Sequence, residues 1–444
     1  MILQSFRNLF RISELRTKIF YTMFFLIIFR LGSQVPIPGI DLDVLAKLTE
    51  EGGLRSGLGG ILSLFSTLTG GALGNCAIFS LGIMPYISAS IIFSLLTKVI
   101  PALEALSKEG ASGYRKINEY TRYATVPLCI LQSLMIVKVF KQPVGGAYLI
   151  VNYTPGFGFF DLLAIITLTA GAIFLMWLGE QITEYGIGNG ISILIMAGIV
   201  ARIPHQIELI LTEEIGGTEI KKFLILLVLF VFIVAGVIYM TYGQRKIAVQ
   251  QAKHTKGRRV YGGQKHSLPL RVNQAGVMPV IFASSLLVFP MTIMNMFGAS
   301  ADTGWFGWGS FSYLFTYILL IYFFSYFWTS LMFQPSEMAN QLKEYGSFIP
   351  GIRPGENTAK YLENVMTKIT FVGAGFLAFI ALIPQIISQL LELRGPQVSF
   401  VYNLGGTSIL IIVGVILDIV QKLESHLLMR HYDGFSKTSK MRGR

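Results

Sequence analysis

Ten stretches of this chain are apolar over roughly the 20 residues that a helix needs to cross a hydrocarbon core. They run near 19–35, 76–97, 117–137, 157–178, 188–207, 223–243, 276–297, 309–333, 369–391 and 401–421. The remaining residues are too few to shield ten such helices from water. Only 14% of the 444 residues are charged and 53% are hydrophobic, against about 25% charged in soluble proteins. A disordered chain would not carry this apolar mass. A disulfide scaffold is excluded as well, because Cys76 and Cys129 are the only cysteines. The pattern predicts an all-α integral membrane protein.

Some stretches are poor spans. The second contains Pro85 with Ser80, Ser88 and Ser90, and the fifth opens on Gly186, Gly188, Asn189 and Gly190. Polar or glycine-broken segments at membrane depth must face protein or a water-filled cavity, so a plain anchor is excluded. Residues 61–73 are too short and too rich in Gly, Ser and Thr to cross. The first 18 residues carry Arg7, Arg11, Arg16 and Lys18, with no small-residue cleavage site following, and read as a retained cytoplasmic segment.

Charge then fixes an orientation. With the N-terminus inside and span-edge charges counted with the adjoining loop, 27 of the 36 Lys and Arg fall inside, eight fall outside, and Arg30 lies within a span. Acidic residues split almost evenly, which is the positive-inside pattern. One inside loop, 179–190, breaks it, having Glu180 and Glu184 but no basic residue.

Loop 244–275 holds Arg245, Lys246, Lys253, Lys256, Arg258, Arg259, Lys265 and Arg271 and no acid. Topology needs only two or three of these. Attraction to anionic lipid would account for part of the excess, at about 1 kcal/mol per basic residue. Docking of a polyanion or an acidic partner would account for the rest. Loop 334–368 mixes both signs and contains Pro350-Gly351-Ile352-Arg353-Pro354-Gly355, where two Pro-Gly turns bracket one arginine in a protruding tip. The sequence has no phosphate-binding G-x-x-x-x-G-K-[ST] loop, no H-E-x-x-H and no cysteine cluster, so neither P-loop ATP hydrolysis nor a zinc site is expected. Intramembrane acids of the kind used in coupled transport are scarce, with Asp418 the clearest.

Several segments, taken in order, carry a resemblance. They are Pro36-Ile37-Pro38-Gly39-Ile40-Asp41, Leu81-Gly82-Ile83-Met84-Pro85-Tyr86-Ile87-Ser88-Ala89-Ser90, Gly188-Asn189-Gly190-Ile191-Ser192 and Gly257-Arg258-Arg259-Val260-Tyr261. Leu268-Pro269-Leu270-Arg271-Val272-Asn273 follows, with Ile281-Phe282-Ala283-Ser284-Ser285, Phe348-Ile349-Pro350-Gly351-Ile352-Arg353-Pro354-Gly355 and Gly405-Gly406-Thr407-Ser408. Together these resemble the SecY family, the channel subunits of the bacterial Sec translocon.

The resemblance implies ten transmembrane helices in two pseudo-symmetric, inverted halves around a central pore. The N-terminal half would be 1–205 and the C-terminal half 223–423, with an external hinge at 206–222 and a cytoplasmic tail at 424–444. It implies a non-enzymatic channel for unfolded polypeptide in the bacterial cytoplasmic membrane, both termini cytoplasmic, with no cofactor. A hydrophobic pore ring would fall on Ile83, Ile87, Ile191, Ile195, Ile281 and Ile411. A plug at 61–73 would include Leu64, Phe65, Ser66, Gly70 and Gly71, and a lateral gate would use Ser88, Ser90, Gln132, Ser284 and Ser285. Arg258, Arg259 and Arg353 would dock partners. The implied partners are the small subunits SecE and SecG, the SecA motor, the ribosome, signal sequences and nascent chains, and membrane lipids. The main alternative from residues alone is a ten-span small-solute transporter, which should show a polar site at the membrane midplane.

Overall fold

The computed structural model describes residues 13–41, 44, 69–141, 149–151, 156–204, 207–208, 217–252, 254–256, 259–261, 265–296, 310–391, 401 and 405–440. It divides into two compact units, Met1–Thr212 with Met291–Asp302 and Val415–Arg444, and Glu213–Pro290 with Thr303–Gly414. A helix overlaps each of the ten apolar stretches. Among the described residues, five helical segments are long and apolar enough to cross a membrane: Phe159–Tyr185, Leu224–Tyr242, Phe311–Glu344, Glu356–Leu390 and Gly406–Ser425. A pair bent by 96°, Met84–Thr97 with Pro101–Lys108, makes a sixth if it counts as one span.

In the first unit, α1 (Ser13–Gly32) is followed by turns that tie residues 35–37 to the stretch before α2 (Met84–Val99). Ile37 N–H donates to the Cys76 carbonyl at 2.9 Å and Ile78 N–H to that of Val35 at 2.9 Å. The second apolar stretch, expected to be helical from residue 76, becomes so only at Met84. Pro85 suits a first helical turn, where no N–H is needed, and residues 76–83 fold as turns instead. Phe79, buried in those turns, stacks between Phe29 of α1 and Phe174 of α5 (Phe159–Tyr185), at 6.4 and 5.9 Å between ring centroids.

Next come α3 (Pro101–Lys108) and α4 (Ala111–Phe140). At about 1.5 Å per residue the 30 residues of α4 reach roughly 45 Å, longer than a hydrocarbon core. α5 likewise outruns its expected span and carries Glu180 and Glu184 inside the helix. The loop expected at 179–190 therefore shrinks to 186–189 before α6 (Gly190–Val200). Arg122 Nε of α4 meets Glu180 Oε1 at 2.7 Å. The acid that broke the charge pattern is thus balanced by a neighbouring helix rather than by its own loop. At the opposite end of α5, buried Asp161 accepts from Lys141 Nζ at 2.6 Å and from the Gly158 N–H, and Lys141 also donates to the Gly156 carbonyl. A buried ion pair persists only with such added hydrogen bonds.

The second unit begins with α7 (Gly217–Tyr242), of which the apolar window is only 11% buried. The strands β1 (Gln244–Gln251), β2 (His254–Lys256), β3 (Arg259–Tyr261) and β4 (Lys265–Arg271) follow. Then come α8 (Met278–Met296), α9 (Phe311–Met332), α10 (Pro335–Glu344), β5 (Ser347–Phe348), α11 (Glu356–Leu390) and α12 (Gly406–Lys440), whose later part belongs to the first unit. A Cβ on Gly406 would lie 1.6 Å from the Ile380 carbonyl oxygen. Only a bare backbone lets α12 start this close to α11, the small-residue packing familiar between membrane helices.

Candidate functional site

The loops 244–275 and 334–368, read separately in the sequence and expected to lie inside, fold into one body. β1 pairs antiparallel with β4 from Gln244↔Arg271 to Gln250↔Lys265. It also pairs with β5 at Gln250↔Phe348 and Gln251↔Ser347, about 100 residues further along the chain. Beneath the sheet, Ile247, Val249 and Leu270 pack with Phe333, Ile349, Leu362, Val365, Met366 and Ile369. The signal was present in the sequence. Ile247 and Val249 alternate in β1, as do Leu268 and Leu270 in β4, at the period of two expected for a strand with one buried face. The density of basic residues hid it.

Arg353 stands at an exposed tip of this body. Gly351 and Gly355 take φ of +85° and +102°, with no atom within 4 Å of the place a Cβ would occupy. The Arg353 carbonyl accepts from Thr358 Oγ1 at 3.0 Å, which fixes the tip to the first turn of α11 while the guanidinium stays outside. Arg259 lies in the β2–β3 hairpin opposite Lys256. Arg258 lies outside the described residues, as do Leu64, Phe65 and Ser66 of the expected plug.

In the first unit, Ile83 and Ile87 sit one turn apart at the start of α2. Ile83 is the residue just before the helix, and its carbonyl accepts from Ile87 N–H at 3.1 Å. Ile191 and Ile195 occupy the first turns of α6, and Ile83, Ile87 and Ile195 are buried. What holds Ile191 and Ile195 in place is unusually complete. A helix start leaves four N–H groups without partners. Here Asn189 Oδ1 accepts from Ile191 and Ser192 N–H at 3.1 and 3.4 Å, and Thr183 Oγ1 accepts from Gly190 N–H at 2.8 Å. Just upstream, Thr22 Oγ1 of α1 accepts from Ile187 N–H at 3.2 Å. Three elements thus set the register of α6. Gly70 and Gly71, the described glycines of the expected plug, lie against its far end. A Cβ on Gly70 would be 2.7 Å from Gly198 Cα, and one on Gly71 would be 3.4 Å from Arg202 Nε.

The second unit carries Ile281 in α8 and Ile411 in α12, both buried. Of the expected gate residues, Ser88 and Ser285 are buried, while Ser90, Gln132 and Ser284 are half-buried. Ser284 and Ser285 both donate to the Ile281 carbonyl of their own helix, at 2.9 and 2.7 Å. Bonding of this i−3/i−4 kind gives each hydroxyl proton an acceptor within its own helix. Among the described residues no group of three or more His, Cys, Asp or Glu gathers as a metal would require.

Comparison with known proteins decides the family. The SecY family model matches residues 77–420. The protein translocase subunit SecY of Escherichia coli K12 is 45% identical over 443 residues, covering 97% of this chain and 96% of that protein. The chain belongs to the SecY family. Solved structures bear on the fold. A protein-conducting channel superposes with a TM-score of 0.63 at 18% identity over 92% of both chains. Sec61 from a canine ribosome–channel complex of the endoplasmic reticulum does so with 0.59 at 17% identity, again over 92% of each. A SecY family member with several helices of spanning length is a multi-pass membrane protein.

Proposed function

We propose that this chain is the channel-forming subunit of a Sec-type protein translocase. It passes unfolded secretory polypeptides across the membrane and releases transmembrane segments sideways into lipid. The observation that carries this reading is identity of 45% to a protein translocase subunit along 97% of the chain. No isolated motif would suffice. Within the reading, ten helices cross the bacterial cytoplasmic membrane with both termini inside. Residues 1–205 and 223–423 form the two halves, hinged at 206–222 and followed by the tail at 424–444.

Ile83, Ile87, Ile191, Ile195, Ile281 and Ile411 form the constriction. Branched aliphatic side chains make a narrow, easily dewetted ring that resists ions and yields to a passing chain. The plug at 61–73 rests against α6, which the close approach of Gly70 to Gly198 supports. The gate seam holds Ser88, Ser90, Gln132, Ser284 and Ser285. A seam of small polar residues holds weakly, at about 0.6–2 kcal/mol per hydrogen bond, which suits a gate that a signal sequence must open. SecE and SecG complete the assembly. Arg258, Arg259 and Arg353 meet SecA or the ribosome, which supply the driving energy.

The test is reconstitution of the chain with SecE and SecG in liposomes, followed by SecA- and ATP-dependent import of a signal-bearing precursor. Protection of the precursor from added protease is expected. An assembly that forms but imports nothing would overturn the reading.

A further inference from the structure

Pro384 is buried in the interior of α11, where a proline weakens its own helix. It has no N–H to give the carbonyl of Ile380, four positions back, and its ring presses on that same carbonyl. The start of α12 closes on the gap. A Cβ on Gly406 would lie 1.6 Å from the Ile380 carbonyl oxygen and 2.6 Å from Ile380 Cγ2. The Cα hydrogen that stands in place of that Cβ therefore faces the carbonyl. Contacts of this Cα–H···O kind recur where helices pack closely. The preceding glycine meets the proline itself, since a Cβ on Gly405 would be 2.3 Å from Pro384 Cγ. Gly405, Gly406 and Ile380 are buried as well. A side chain at either glycine would push α12 off this turn of α11.

Beside this joint lies an apolar cavity of about 30 Å³, bounded by Leu229 and Ile233 of α7 and by Ile383, Pro384, Val401 and Gly405. The start of α12 has room to shift there if its seat on α11 is lost. Such a shift would be carried to Ile411. That residue follows Gly406 by five positions in the same helix, which turns it about 140° away from the face that meets α11. Further along, α12 closes on the start of α8. A Cβ on Gly414 would be 2.7 Å from Val277 Cγ2, and the Val277 carbonyl accepts from the Ile281 N–H at 3.4 Å. Close glycine contacts along α12 thus bear on both isoleucines that this unit brings to the expected constriction.

We propose that Pro384 is a positioning residue for the constriction. By withholding an N–H from Ile380 it makes the seat on which Gly405 and Gly406 fix the rotation of α12, and with it the place of Ile411. Asn189 serves α6 by supplying an acceptor to a helix start. Pro384 serves α12 by removing a donor from its neighbour. The inference rests on the reading of Ile411 as part of the constriction.

The experiment uses the full chain assembled with its small subunits, with Pro384→Ala as the test. That change returns an N–H to the Ile380 carbonyl and adds no bulk, so α11 itself gains helical stability and the variant folds. In planar bilayers its resting conductance is expected to rise severalfold. A second readout places Ile411→Cys in both backgrounds and measures labelling by a water-soluble thiol reagent in the resting complex. Pro384→Ala is expected to change that rate severalfold. Cys76 and Cys129 are buried, and the parent without Ile411→Cys supplies their background. Ile383→Ala is the control, because it loosens the same turn and keeps the proline. It should lower the melting temperature and leave conductance and labelling as in wild type. Unchanged conductance and labelling in Pro384→Ala would overturn the proposal. Equal changes in Ile383→Ala would overturn it too, by reducing the joint to ordinary packing. Ile411→Gly reads the underlying assignment separately. If that variant conducts no more than wild type, the constriction reading of Ile411 fails, while the labelling rate still decides whether Pro384 sets the place of residue 411.

Discussion

The turn at 186–190 and the tip at 350–355 are both glycine-rich and both lie between helical segments, yet glycine serves them for opposite reasons. At the first, the backbone is crowded. A Cβ on Gly190 would sit 1.9 Å from the Gly179 carbonyl oxygen and 2.8 Å from Ile182 Cβ. At the second, space is open and only the sign of φ demands glycine, as at Gly355 with φ +102°. The first turn is tied down by hydroxyl and amide side chains from α1, α5 and the turn itself. The second is anchored at its base and leaves Arg353 in solvent. One is built to hold a helix start still, and the other to present a side chain. Stability and transport should therefore separate when the two are mutated.

The largest effect is expected at Gly190. Gly190→Ala inserts a methyl group where carbonyl oxygen and side chain already stand, and overpacking of this kind costs about 3 kcal/mol. Thermal melting of the assembled complex should show a large loss, with little folded protein recovered. A melting temperature within a degree of wild type would mean that the turn relaxes easily and that the crowding has no structural role. Gly355→Ala is the matched change in the open tip. Its cost is limited to holding a residue with a Cβ at positive φ, about 1–2 kcal/mol, so it should be the milder of the two.

Asn189→Ala comes next. It removes the acceptor for Ile191 and Ser192 N–H, a helix cap worth about 1 kcal/mol. Because that cap sets where Ile191 and Ile195 of the proposed constriction sit, the variant should also raise ion conductance through the resting channel in planar bilayers. Asn189→Asp, which keeps the acceptor, should restore the seal. A loss of stability with no change in conductance would confine Asn189 to folding and detach it from the pore.

How far these features could be read in the sequence differs between the two regions for a physical reason. Apolar length is local and additive, so a helix overlaps each of the ten expected stretches. Capping chemistry is local too, and Gly188-Asn189-Gly190 marks a helix start by itself. The pairing of Gln250 with Phe348 is neither local nor apolar. A strand of two residues, β5, leaves almost no periodic trace, and its partner is hidden among basic residues. A charge near a helix end hides that end, as at Glu180 of α5. Glu180 reads as loop because an unpaired acid at membrane depth is costly, and its partner Arg122 lies 58 residues away. Nothing in the local sequence around Glu180 names that partner.

The Arg122–Glu180 pair sharpens the comparison from the side of the rigid turn, since Glu180 lies in the last turns of the helix that leads into it. Both members are partly exposed, 49% and 26% at the side chain, and such pairs contribute about 1 kcal/mol or less. Glu180→Gln and Arg122→Gln should each lower the melting temperature slightly. The double variant should cost less than the sum of the two, because each single change strands the other charge. Strict additivity in that cycle would show that the two side chains do not interact in solution.

The smallest effect on stability belongs to Arg353→Glu. The side chain is exposed, its carbonyl and not its guanidinium holds Thr358, and a surface change of this kind is worth less than about 0.5 kcal/mol. Melting temperature and membrane insertion should match wild type, while SecA-dependent import in liposomes is lost. That dissociation is what a presented side chain predicts and a structural one does not. If import survives with the charge reversed, the tip is a solvated turn and docking must be sought along β1 and β4. There Arg245, Lys246, Lys265 and Arg271 are exposed on the strands of the same body. If import and melting fall together, the tip resembles the 186–190 turn after all, and open space around a glycine is no guide to which of two turns a partner can touch.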